Sequence, residues 1–126
     1  MKTKSIGTLL IIFSLLGVSL ALLTIFGVVP SEYVWGGYTG SGQELRALLV
    51  VSALVNLFFI WIVGMSAGII PRRAGTRALK TILALASFLM LLNTLGNLLS
   101  HTLFEKYLAL VTLCAAYLYY CLYKKV

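Results

Sequence analysis

"IGTLLIIFSLLGVSLALLTIFGVV", residues 6–29, runs its whole length without one ionisable side chain. A helix needs about 20 apolar residues, at 1.5 Å each, to cross the hydrocarbon of a bilayer. An amphipathic helix of a soluble domain would break such a run with polar residues on every turn. The stretch reads as a membrane-spanning helix. The charged start "MKTK" (1–4) has the look of a secretory leader. A cleaved leader, however, has an apolar core of only about 7 to 15 residues. The run is therefore expected to be retained as the first helix.

Three further blocks have the same character. Leu45–Ile70 carries only Arg46 and Ala78–Ser100 only Lys80, each near an edge, while Leu103–Tyr123 holds Glu105 and Lys106 in its first turn. With 126 residues, 61% of them hydrophobic and 10% charged, a soluble fold would have far too little polar surface to cover itself. Strands of a membrane barrel would be about 10 residues long and alternate in polarity, and these blocks do neither. The expected fold is all-α: an integral membrane four-helix bundle, antiparallel, up-down-up-down, one domain over residues 1–126. Its helices are expected at about 6–29, 45–70, 78–100 and 103–123.

The connections are short. In "IPRRAGTR" (70–77) Pro71 stops the second helix and Gly75 permits the reversal. "SHT" (100–102) leaves helices 3 and 4 as a hairpin. The longest loop, "PSEYVWGGYTGSGQE" (30–44), holds Tyr33, Trp35 and Tyr38, whose amphipathic rings favour the headgroup layer. Tyr117, Tyr119, Tyr120 and Tyr123, beside Lys124 and Lys125, suggest a second aromatic belt at the other interface.

Charge sets the expected orientation. Lys2, Lys4, Arg72, Arg73, Arg77, Lys80, Lys124 and Lys125 all fall at one end of such a bundle, with no acid among them. Short loops rich in Lys and Arg stay cytoplasmic, so both termini are expected inside a multi-pass protein of the cell (inner) membrane. The net charge of +7 is then topology plus attraction to anionic lipid headgroups, and gives no reason to invoke nucleic acid.

Polar side chains inside the greasy blocks are the candidates for function. "NTLGNLLSH" (93–101) sets Asn93, Asn97 and His101 four apart on one face of helix 3, with Ser100 beside them, and Asn56 lies near the middle of helix 2. An Asn amide facing lipid lacks partners, so this stripe is expected to face other helices or a small wet cleft. Two uses stay open: hydrogen-bonded glue between helices, or the lining of an outward pocket with His101 at its mouth. "SGQE" (Ser41–Glu44) and "TLFE" (Thr102–Glu105) both fit the capping box at the starts of helices 2 and 4. Gly64 and Gly68 on helix 2, and Gly17 with Ala21 on helix 1, have the small-x-x-x-small spacing that lets helix backbones approach.

No catalytic or metal site is expected. A metal needs about three protein ligands, and one His with scattered carboxylates is a poor supply. Cys114 and Cys121 form no Cys-x-x-Cys pair, and no nucleophile elbow or phosphate loop is present. No resident cofactor is expected. A proton-coupled exporter would need a carboxylate deep in the membrane. The expectation is a non-catalytic accessory or interaction subunit, or a binder of a small ligand or lipid, acting through the stripe. Its partners would be membrane lipids and a larger membrane protein or further copies of itself. The alternative is a small transporter or channel working as a homo-oligomer.

Overall fold

The computed structural model describes residues 2–28, 42–100 and 102–126. Four helices follow in order: α1 (Thr3–Ile25), α2 (Gly42–Ser66), α3 (Thr76–Leu98) and α4 (Leu103–Lys125). Each is long and apolar enough to cross a membrane, so the chain is a multi-pass membrane protein. Lys4, Arg77, Lys80, Lys124 and Lys125 lie within the helices themselves. Long basic side chains can run along the apolar wall and hold their charge in the headgroup layer, so a helix need not stop where the hydrocarbon does.

Two glycines decide where α1 and α2 end. Gly27 has φ 79° and Gly68 φ 77°, the left-handed region that glycine enters without a Cβ penalty. Around Gly68, the Ile69 N–H donates to the Gly64 carbonyl (2.9 Å) and the Gly68 N–H to the Met65 carbonyl (3.3 Å). Around Gly27, the Val28 N–H donates to Leu23 (2.9 Å) and the Gly27 N–H to Thr24 (3.1 Å). Both are Schellman turns. The expected helix ends at 29 and 70 are thus four residues too long.

The same geometry corrects the reading of Gly64 and Gly68 as a packing pair. Gly68 stands outside the helix with open space around its Cα, and a Cβ on Gly64 would meet Ile70 of its own turn at 3.2 Å. Neither is a crossing point. Gly68→Ala forces an L side chain into the left-handed region and should cost about 1 to 2 kcal/mol. Gly68→Asn, which tolerates that region better, should cost clearly less in the same detergent melt. Equal losses from the two would show that the turn does not depend on φ.

α1 lies antiparallel to α2, with Gly7 against Ala67 and Gly17 against Asn56. α3 lies antiparallel to α4 and is tied to it by side chains: Ser87 Oγ donates to the Ala116 carbonyl (2.8 Å), and Thr94 and Thr112 share a 2.8 Å hydrogen bond. These two hairpins are the extensive contacts; α1 meets α4 and α2 meets α3 over much less surface. One buried cluster joins all four helices and includes Ile6, Leu10, Ile62, Val63, Leu83 and Leu122. All of these lie in the half nearer the eight basic residues. The second cluster, Ala21 and Leu49 with Leu20, Ile25, Leu45 and Ala53 packed around them, belongs to α1 and α2 alone.

Tyr119 is not part of an interfacial belt. It is buried, packs edge-on against Phe59 with centroids 5.9 Å apart, and directs its hydroxyl to Ser14 of α1. Tyr117 and Tyr120 are exposed, as belt residues are. The Tyr33, Trp35 and Tyr38 loop lies outside the described residues.

Candidate functional site: an exposed amide face of the third helix

Residues seven apart on a helix share a face, so their burial shows how far an interface extends. On α3, Ala86 is 0% exposed, whereas Asn93, two turns further from the basic end, is exposed. On α2, Ile62 is 2% exposed and Val55 37%. On α4, Leu118 is 8% exposed and Val111 38%. Three helices tell the same story. At these positions the faces that are buried in the basic half are exposed in the other half, where Ala21 and Leu49 form a separate cluster of α1 and α2. Asn93 places an amide on the exposed part of the α3 face.

The expected stripe does not stay together. Asn56 is half-buried on the opposite side of α2: its Nδ2 donates to the Ser52 carbonyl (2.9 Å), and its amide covers the Cα of Gly17. It is a packing residue of the first hairpin, next to the buried pair Ala21 and Leu49. Asn93 and Asn97 remain together on one face of α3, exposed and half-buried respectively, and their side chains hold no hydrogen bond among the described residues. Gly96 beside them is exposed, and a Cβ there would meet nothing within 4 Å. His101 lies outside the described residues.

Ser100 belongs to a third place, the turn between α3 and α4. It is buried with Glu105, and its hydroxyl donates to Glu105 Oε1 (2.8 Å), as does the Thr102 hydroxyl (3.1 Å). Thr102 is the N-cap, accepting from the Glu105 N–H at 3.2 Å. The box is not closed in the expected way. The Thr102 N–H goes to Ser100 Oγ (3.2 Å), which frees the carboxylate to gather two hydroxyls instead. The turn thereby satisfies a carboxylate that would be costly to bury alone. Glu44 is exposed in the first turn of α2, and its expected partner Ser41 lies outside the described residues.

Sequence reasoning singled out the asparagines and passed over the hydroxyls that hold the second hairpin. Ser87 and Thr94 are seven apart on α3, and Glu105, Thr112 and Tyr119 are seven apart on α4. That spacing was the available signal. Among the described residues no three His, Cys, Asp or Glu side chains gather closely enough to hold a metal. Asn93 and Asn97 offer neutral donors and acceptors on an otherwise apolar helix, which suits hydrogen bonding within a membrane. Compared with known proteins, the chain matches no family model, no curated protein and no solved structure.

Proposed function

We propose that this chain is a non-catalytic interaction subunit that receives a transmembrane helix of a larger membrane protein against the Asn93 face of α3. One observation carries the reading: Asn93 lies open on a face of α3 that is fully sealed at Ala86. An amide at that depth is costly to leave to acyl chains, which offer it no hydrogen bond. A polar group on an incoming helix restores one, worth roughly 0.6 to 2 kcal/mol per contact. Gly96 lets the incoming backbone approach closely. Exposed apolar residues of α2 and α4 supply the remaining packing.

The test is a mild-detergent pull-down of the wild type and of the double variant Asn93→Leu/Asn97→Leu. The wild type should retain a larger membrane protein in fixed proportion. The variant should melt at or above the wild-type temperature, because it loses two unpaired amides, and should come down alone. A wild type that purifies alone, or only with copies of itself, contradicts the reading.

In the same proposal the basic end is cytoplasmic, as eight of the ten Lys and Arg residues favour. With Cys114 and Cys121 replaced by alanine, single cysteines at Lys2, Thr76 and Val126 should be shielded from an impermeant thiol reagent in intact cells. A cysteine at Gly40 should label. The reverse pattern would invert the topology.

A further inference from the structure

At the basic end, one face of α3 and Tyr123 of α4 border a shallow, open surface groove lined by Thr76, Arg77, Lys80, Thr81, Ala84 and Leu85. Its polar and apolar parts are separated along the helix. Thr76, Arg77 and Lys80 stand at the level of the bundle end, and Ala84 and Leu85 continue the same face one turn further into the membrane.

Two of the cations at this end rest on aromatic rings. Lys80 Nζ sits 5.3 Å above the Tyr123 ring, which is stacked at 6.4 Å on Tyr120, and Tyr120 in turn carries Lys124 Nζ at 5.6 Å. Arg72 Nη1 reaches Thr76 Oγ1 at 3.4 Å, which leaves the Thr76 hydroxyl proton free to be donated elsewhere. Among the described residues no Asp or Glu lies at this end. A positive mouth above an apolar floor, at the depth where headgroups meet acyl chains, has one well-matched occupant.

We propose that this groove is a binding site for an anionic glycerophospholipid. Its phosphate would sit between Arg77 and Lys80 and accept from Thr76, and one acyl chain would lie along Ala84 and Leu85. The site is separate from the Asn93 face, which lies in the other half of the bundle. A general attraction to an anionic leaflet would be shared by every basic residue at this end, whereas a built groove is confined to these.

That difference gives the test. The purified protein in neutral detergent is titrated with phosphatidylglycerol and followed by native mass spectrometry. Phosphatidylcholine and the soluble headgroup glycerophosphoglycerol serve as comparison ligands. The wild type should keep one phosphatidylglycerol under conditions that strip phosphatidylcholine, and the soluble headgroup should not displace it. Arg77→Gln/Lys80→Gln should weaken that binding about thirtyfold, as expected for two basic residues near an anionic lipid. Lys2→Gln/Lys4→Gln, the same charge change outside the groove, should alter it less than about twofold, and Lys80→Arg should retain it. Equal losses in the two double variants would overturn the site. So would equal retention of phosphatidylcholine, or displacement by the soluble headgroup.

Discussion

Gly7→Leu should leave little folded protein. Gly7 is buried where α1 meets the end of α2, and a Cβ at this position would collide with that of Ala67, with Ile69 Cδ1 at 3.4 Å and Val63 Cγ1 at 3.7 Å behind it. Neither Ala67 nor the backbone beneath it can turn aside as the tip of a long side chain could. The helices must separate, and the core layer around Ile6, Leu10 and Val63 separates with them. Overpacking a tight site costs about 1 to 3 kcal/mol, and a whole Leu at a backbone crossing belongs at or beyond the upper end. Gly96→Leu is the control. Its Cβ enters open space, so the melting temperature should hold while the partner is lost from the pull-down. Comparable melting losses from the two would mean that α1 and α2 do not cross at Gly7.

Glu105→Ala should be the second largest loss, about 3 kcal/mol. The carboxylate is 2% exposed and accepts from Ser100 at 2.8 Å and Thr102 at 3.1 Å. Hydrogen bonds to a charged group contribute about 1.5 to 3 kcal/mol each, and removing the acceptor takes the partner from the buried Ser100 hydroxyl and the half-buried Thr102 hydroxyl. Glu105→Gln keeps one acceptor oxygen and should lose roughly half as much. Glu44→Ala, at an exposed carboxylate with the same sequence pattern, should stay within about 1 kcal/mol. Denaturant unfolding in micelles separates the three. Equal effects at 44 and 105 would contradict the buried turn.

The four helices were legible because the signal for them is local: an apolar run of about 20 residues, with charges only near its ends, is best satisfied as a helix in lipid. Their ends were less so. Gly64 and Gly68 are four apart, which is the spacing of a close helix crossing and also that of the C3 and C′ positions of a Schellman turn. Pro71, just beyond, favoured the turn, since proline commonly follows such a stop. The actual close approach, Gly7 on Ala67, joins residues sixty positions apart, and no local spacing marks it.

The site divides in the same way. Helical periodicity put Asn93 and Asn97 on one face of α3, and the structure keeps them together. Which face of α2 accompanies them depends on how the two hairpins dock, and that docking turns Asn56 away onto Gly17. Glu44 and Glu105 carry the same capping pattern, yet Glu44 is exposed whereas Glu105 is buried and accepts from the Ser100 hydroxyl. Tyr119 resembled its neighbouring tyrosines in sequence, and only the packing of α4 against Ser14 and Phe59 sets it apart.

The proposal that a partner's helix packs against Asn93 is tested most directly by a photoreactive phenylalanine analogue placed at Asn93 and activated in intact cells, with Leu95 as the comparison position on another exposed face of α3. The account predicts one discrete adduct from position 93 that contains a different membrane protein, and none of that mass from position 95. Adducts from position 93 with lipid alone, or with another copy of this chain alone, would contradict it.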